Sequence, residues 1–417
     1  MGFRDRTDRP LVSVEEAQEL VLASVRLIAT ESVSLAEALG RVLREEVRAP
    51  FDIPERDNAA MDGYAVVTRD TAGASDASPV VLSVVEDIPA GAIAREVIAS
   101  GTAARIMTGA LMPAGADVVV RVEWTDAGRD PVSIFRGVKR GVNIRLQGED
   151  MRTGDVVLRS GTKLGAGEIA VLASMQHADV IVARRLVVAI LSTGDELVAI
   201  DETRSAGKVV NSNAWSLAAL VREAGGIPRI ERIVRDDREA TVAAFNEALD
   251  ADLVLSTGGV SAGAFDFVED ALAALGAETS FSKVAMKPGK PVVFSRLRDR
   301  LIFGLPGNPV SCMVAFHLFV APAMRKAAGI ANDPRHPVVR ARLASSVSSK
   351  GDRRTYLRAR VVASGGELVA YPKMAQGSGV TTSMAGANGL LYLEAGETEA
   401  EAGERLPVVL IGPIESA

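Results

Sequence analysis

The chain has 417 residues, of which 48% are apolar and 24% charged, with a formal net charge of −6. A chain of this length holds roughly two to four domains and more than one core, with the balance of a soluble globular protein. Net acidity excludes the global basic field of nucleic-acid binders, so no nucleic-acid partner is expected and any anion site has to be local.

Taken in chain order, MGFRDRTDRP has no apolar core behind its charges and does not read as a secretory signal. Residues 13–29 open with Ser13 and Glu16 in a capping-box arrangement and continue at helical spacing. Residues 51–140 carry short apolar runs such as PVVLSVV and ADVVVRVEW among Gly and Pro, the pattern of a small β-rich domain. Residues 141–176 mix turn signals and end in a short helix. From Arg185 onward, strand-like and helical segments alternate: RLVVAILSTGDEL, NAWSLAALVREAGG, IPRIERIV, REATVAAFNEALDA, ADLVLSTGGVS, FVEDALAALGA and RLIFGLPGNP. That alternation predicts a parallel sheet with helices on both faces. PVSCMVAFHLFVAPAMRKAAG predicts one long buried helix with Pro309 in its first turn. Residues 334–417 return to short β segments and Gly turns, the pattern of a small barrel or sandwich. No apolar run reaches membrane-spanning length, and a cytoplasmic protein is expected.

Cys312 is the single cysteine, which excludes an internal disulfide and a Cys-based zinc cluster and fits a reducing compartment. The histidines His177, His317 and His336 have no metal-ligand spacing, and His317 lies in an apolar helical run. Chemistry is therefore expected from carboxylates, lysines, hydroxyls, backbone amides and a hard cation.

Ligands of open α/β sheets sit at the carboxyl ends of the strands. Three such ends share a composition here: Ser192-Thr193-Gly194, Ser256-Thr257-Gly258-Gly259 and Pro306-Gly307-Asn308-Pro309. Glycines allow close backbone approach and the following helices present free N–H groups, a combination that suits a phosphate-bearing ligand. Asp195, Glu196, Asp236, Asp237 and Asp266 stand beside these loops. Carboxylates sharing a crevice with phosphate call for a cation such as Mg2+; Asp195 and Asp237 are read as helix caps, Glu196 and Asp266 as site residues. KVAMKPGKP, residues 283–291, brings together Lys283, Lys287 and Lys290 without an acid. On the residues alone, an anion site and a lysine-guarded strand edge explain it about equally.

Together with NAAMDGYAV, RIMTGA followed by P-x-G-A-D, NIR-x-x-GED and QGSGVTTSMAGANGL, these segments resemble the molybdopterin molybdenumtransferase family, which includes the C-terminal domain of gephyrin. The motifs keep the family's order from Asp57 to Leu390, nearly the whole chain. The resemblance implies insertion of molybdenum from molybdate into adenylylated molybdopterin, with Mg2+-dependent pyrophosphate hydrolysis and release of AMP. It implies an α/β multidomain fold: a central doubly wound parallel-sheet domain at 181–332, a small β-rich domain at 51–140, a split elongated domain of 1–50 with 141–180, and a C-terminal β-barrel at 333–417. It also implies a homodimer whose cleft is shared between subunits, and contacts with molybdopterin adenylyltransferase and acceptor apoenzymes.

By position, the resemblance assigns Asp62, Thr108, Asp150, Glu196, Asp266, Lys283 and Lys287 to catalysis. Ser192, Thr193, Gly194, Asn213, Gly258, Gly259, Ser261, Pro306, Gly307 and Asn308 fall to the pterin nucleotide. Lys287, Lys290, Arg358 and Ser378 fall to molybdate, with Arg354 a rival to Arg358, and Glu196, Asp236 and Asp266 to the metal. Two positions depart from the family pattern: Ala264 stands where an acid is usual, and Ala59 where Ser is common. A pterin carrier or scaffold without turnover, and a molybdopterin adenylyltransferase, are the alternatives. The retained acids and lysines argue against the first and the extra domains against the second.

Overall fold

The structure, a computed structural model, describes residues 11–259 and 267–416. It separates into two compact units, residues 46–159 with 166–178, and residues 1–45, 160–165 and 179–417.

The first unit is built on a five-stranded sheet of β1 (Gly63–Val66), β2 (Val80–Ile88), β3 (Thr102–Ile106), β4 (Val118–Arg121) and β5 (Val132–Ile134), in the order β4-β1-β3-β2-β5. Its strands are valine- and alanine-rich because both faces are covered. Ala65, Ala104, Ile106 and Val119 pack on one side, and Tyr64, Val66, Ala103 and Val120 on the other. Side chains of a strand alternate between faces, so a run such as VVVR feeds two cores at once.

The second unit contains a six-stranded sheet of β6 (Val187–Thr193), β7 (Ile227–Val234), β8 (Leu253–Thr257), β9 (Glu278–Phe281), β10 (Val293–Leu297) and β11 (Arg300–Leu305), in the order β7-β6-β8-β11-β10-β9. Strands β7, β6, β8 and β11 are parallel; β10 and β9 add an antiparallel edge. The helices between them are α1 (Ser212–Glu223), α2 (Arg238–Ala248) and α3 (Val268–Ala274), followed by α4 (Pro309–Ala315) and α5 (Ala321–Ala328). Val188 and Ile190 face a layer containing Leu217 and Val221 of α1 and Val314 of α4. Ala189 and Leu191 face Phe245 of α2 and Leu272 of α3. Helices thus cover both faces, as the alternating sequence pattern requires.

The long C-terminal helix expected from sequence is interrupted. A π-helical turn, Phe316–Val320, separates α4 from α5, and Pro322 is the second residue of α5. Proline has no N–H to donate to the carbonyl four residues earlier. That carbonyl, of Leu318, accepts instead from Gln18 Nε2 at 3.0 Å. Gln18 belongs to the N-terminal helix Val14–Ser24, whose first turn is capped by Ser13 Oγ accepting from the Glu16 N–H at 3.0 Å.

The C-terminal region closes into a five-stranded barrel of β12 (Val338–Leu343), β13 (Arg354–Ser364), β14 (Glu367–Pro372), β15 (Gly389–Leu393) and β16 (Arg405–Leu410), paired β12-β14-β13-β15-β16-β12. Leu343, Leu357, Val361, Leu391 and Val408 fill its interior. The two-residue strand Met286–Lys287 of the KVAMKPGKP segment joins β13 in parallel from outside, pairing with Arg354 and Thr355. Among the described residues, no helix is long and apolar enough to cross a membrane.

Candidate active site

Strand order reverses about β6: the chain leaves it for β7 on one side and returns to β8 on the other. Ligands of open α/β sheets bind outside the carboxyl ends of strands at such a switch point. A cavity of about 200 Å³ lies there, lined by Thr193 and Glu196 after β6, Asn211 and Asn213 at the start of α1, Thr257 and Gly258 after β8, and Gly307 and Asn308 after β11. The three loops singled out by composition converge on one space.

Their polar groups are held in place from behind. Asn213 Nδ2 donates to Thr257 Oγ1 and to the Gly307 carbonyl, each at 2.7 Å, and Thr257 Oγ1 donates to the Pro306 carbonyl at 3.3 Å. This ties the ends of β8 and β11 to α1. Two polar atoms there are unused: Asn213 Oδ1 and Thr193 Oγ1 are buried without a hydrogen-bond partner. A buried polar atom left alone costs about 1–3 kcal/mol, so such atoms usually answer to something absent from the bare protein. Gly258 has φ +91°, and a Cβ there would stand 2.4 Å from the Thr193 carbonyl oxygen, so β6 and β8 can approach this closely only over glycine. At Gly194 a Cβ would meet the Glu196 carboxylate at 2.6 Å; glycine lets that exposed carboxylate fold back beside the strand end.

The acids divide by environment. Asp237 caps α2, its Oδ1 accepting from the Ala240 N–H at 2.8 Å, as expected. Asp195 does not cap a helix, because the chain turns into the short strand Leu197–Val198 instead; its Oδ1 accepts from the Asp236 N–H at 3.4 Å, and Asp236 Oδ2 from the Asp195 N–H at 3.2 Å. Asp236 is thus engaged with Asp195 and is not on the cavity wall. Asp266, Ser261 and Ala264 lie outside the described residues. Among the described residues no three metal-ligating side chains cluster.

A second cavity, of about 430 Å³, is lined by Lys287, Gly289, Lys290, Pro306, Asn308, Ser311, Ser348, Arg353, Gln376 and Ser378. Asn308 lines both cavities, so the Pro306–Pro309 loop is their common wall. The Ser378 carbonyl accepts from the Val310 N–H at 3.2 Å, anchoring the barrel's 373–385 loop to α4. Lys287 is half-buried and Lys290 exposed. Lys283 is not on the cavity wall.

The structure places the arginines of this region differently from one another. Arg353 lines the second cavity, its Nη1 donating to the Met286 carbonyl at 3.4 Å and its Nη2 lying 2.9 Å from Asp352. Arg358 is fully buried away from it. Its Nε donates to Ser383 Oγ at 3.1 Å and its Nη2 to the carbonyls of Ala375 and Gly377, so it braces the loop that carries Ser378. Arg354 turns to Glu15 and Glu394. Arg354 and Arg358 share one face of β13 but have different partners over them, while Arg353 precedes the strand next to the Met286–Lys287 pairing.

In the other unit, Asp62 Oδ1 accepts from both the N–H and the Oγ1 of Thr108, each at 2.7 Å. Those bonds hold the Asp62 carboxyl below its ordinary range. The pairing of β1 with β3 (Gly63 opposite Ile106) brings NAAMDGYA and RIMTGA side by side. Asp150 is exposed, with its N–H donated to the Ile53 carbonyl at 3.0 Å. Ala59 is fully buried, and its backbone is bonded on both sides to residues 109–110, so the methyl sits in the core.

Comparison with known proteins agrees with this arrangement. Residues 12–175 match the MoeA N-terminal region (domain I and II), 189–326 a probable molybdopterin binding domain, and 340–411 the MoeA C-terminal region (domain IV). The chain belongs to the MoeA family. A Bacillus subtilis relative named molybdopterin molybdenumtransferase is 37% identical over 97% of this chain and 95% of its own. A Nostoc relative of the same name is 38% identical over 96% and 94%, and a Mycobacterium tuberculosis molybdopterin molybdenumtransferase 2 is 39% identical over 95% and 98%. A solved MoeA protein from Pyrococcus horikoshii superposes with a TM-score of 0.81 at 33% identity, covering 96% of this chain and all of that one.

Proposed function

We propose that this chain is a molybdopterin molybdenumtransferase of molybdenum cofactor biosynthesis. It takes adenylylated molybdopterin and molybdate, places molybdenum on the dithiolene, and releases AMP. The observation that carries the proposal is the pair of cavities with one wall: a pocket at the switch point lined by hydroxyls, amides and the Glu196 carboxylate, beside a cationic pocket of Lys287, Lys290 and Arg353.

The switch-point pocket takes the pterin nucleotide. Thr193 Oγ1 and Asn213 Oδ1 supply unused hydrogen-bonding atoms, and the N-terminus of the twelve-residue helix α1, whose Asn211 and Asn213 line the pocket, would favour the phosphates. The donors there fit a hard cation: Glu196 carries a carboxylate on the wall and the two orphan atoms are oxygens. Mg2+ bound at Glu196, with Asp266 as second acid, would neutralise the pyrophosphate and polarise phosphorus for attack. The cationic pocket holds molybdate, a tetrahedral dianion suited to two ammonium groups, the positive charge of Arg353 and the Ser378 hydroxyl. Breaking the P–O bond of the pyrophosphate transfers an oxygen from molybdate or water to phosphorus and leaves AMP. Asp62, Thr108 and Asp150 complete the site from a second copy in a cytoplasmic homodimer, and the four-part domain division read from the sequence belongs to the same proposal.

The test follows AMP release from adenylylated molybdopterin with Mg2+, with and without molybdate, and then reconstitution of a molybdenum-free apoenzyme. AMP release that depends on molybdate and yields a reconstituting product is expected. Tight pterin binding without AMP release would overturn the transferase reading in favour of a carrier.

A further inference from the structure

A third cavity lies at the opposite end of the strands of the same sheet. It measures about 440 Å³ and is lined by Arg185 and Leu186 before β6, Gly225 and Gly226 before β7, the end of α5, and residues 39–42 with Lys163. Parallel strands start here, whereas the candidate active site lies where they end; the two sites share no residue.

Six cationic side chains line it: Arg41, Lys163, Arg184, Arg185, Arg222 and Arg325, against one acid, Glu223. The chain as a whole is acidic, with net charge −6, so this concentration runs against composition. Two of the six are matched, Arg41 by Glu31 and Arg184 by Asp252 at 2.7 Å. Lys163, Arg185 and Arg222 are exposed and pair with no carboxylate among the described residues. Arg325 is half-buried, and its guanidinium finds only the Pro334 carbonyl at 3.2 Å and the His336 ring at 3.5 Å. Like charges gathered in a concave space repel one another and raise the local potential for an anion.

We propose that this cavity binds a phosphate-bearing small molecule of nucleotide size. Arg185 and Arg222 keep guanidinium groups without an internal ion pair at this cavity, and such planar forks match phosphate oxygens two at a time. A cavity of this volume falls in the range of small-ligand sites, and the basic residues gather round a hollow instead of running in the stripe expected for a nucleic-acid track.

Isothermal titration of the full-length protein with inorganic pyrophosphate, and separately with adenosine triphosphate, tests the proposal. The titrations are run on the Lys287→Ala/Lys290→Ala background, which removes the cationic pocket of the candidate active site. Saturable binding by at least one probe is expected to survive in that background within about twofold of wild type, and to weaken about tenfold or more when Arg185→Glu and Arg222→Glu are added. Both arginines are exposed without internal ion pairs, so the melting temperature is expected to hold, and Lys163→Glu gives an independent variant with a smaller loss in the same direction. Loss of all binding in the lysine background, unchanged binding after the arginine reversals, or saturation by neither probe would each overturn the proposal. None of these outcomes depends on whether the protein turns over molybdopterin.

Discussion

The two cavities that share Asn308 are built on opposite principles. At the switch point locked amides and hydroxyls dominate, with the exposed Glu196 carboxylate at the wall: Asn213 is pinned by Thr257 and Gly307, and its oxygen is buried without a partner. Next to it, charge dominates and the side chains are long: Lys287, Lys290 and Arg353. Preorganised amides and hydroxyls read shape and hydrogen-bond pattern, whereas flexible cations hold a compact dianion mainly by charge. On the proposed function, recognition of an extended organic substrate is separated from capture of a small inorganic one, and the Pro306–Pro309 loop is where the two would meet.

The largest effect expected of this division comes from its cationic half. Lys287→Ala/Lys290→Ala should lower AMP release roughly 10²–10³-fold, because the charge that meets the dianion is removed in a site partly shielded from water. Binding of adenylylated pterin, followed by equilibrium titration, should change little. Equal loss of both would mean that the cavities work as one site.

Next in size is Glu196→Gln, which keeps the shape of the side chain and removes its charge. Turnover should fall roughly tenfold to a hundredfold, with the Mg2+ requirement moved upward and pterin affinity nearly unchanged. A mutant that loses pterin binding and turnover in parallel would place Glu196 on the nucleotide and not on a cation.

Arg353 and Arg358 sharpen the comparison further. Arg353→Ala should raise the molybdate concentration for half-maximal AMP release about tenfold and leave the melting temperature alone, as it removes a group from the cavity wall. Arg358→Ala should do the reverse. It unpairs three carbonyl and hydroxyl partners under the 373–385 loop, so stability should fall by about 1–3 kcal/mol before the molybdate requirement moves. Denaturant melts beside kinetics separate the two.

That pair of arginines also marks where sequence reading reaches its limit. The doubly wound sheet, its glycine loops and the barrel follow from local signals: alternating periods, strand ends rich in Gly, Ser and Thr, and a cap at Asp237. Which of Arg353, Arg354 and Arg358 faces a ligand does not, since three arginines within six residues differ only in strand register and in what packs over each. Asp195 was misread for a related reason. A Gly-Asp after a strand commonly starts a helix, and here a second short strand intervenes. The break in the last long helix was signalled by Pro322, but its widening into a π turn depends on Gln18, some 300 residues away, meeting the freed Leu318 carbonyl.

The smallest effect at neutral pH concerns neither cavity and serves as a control on both. His317 Nδ1 and His336 Nε2 lie 3.4 Å apart, with Arg325 Nη2 3.5 Å from the His336 ring. Burial, reinforced by the neighbouring positive charges, pushes His317 down to about 3 and His336 to about 4. Both are therefore neutral in the native state, while the unfolded chain takes up protons near pH 6.5. The contribution to stability is complete above about pH 6.5 and is lost as pH falls toward 4, by ~1.4 kcal/mol per pH unit for each histidine. His336→Gln should roughly halve the slope of stability against pH between 6 and 4 in urea melts, while pterin and molybdate binding at pH 7.5 stay at wild-type values. An unchanged slope would mean that the pair is hydrated and titrates as it does in the unfolded chain; a change in binding at pH 7.5 would mean that the packing under the barrel reaches the cavities after all.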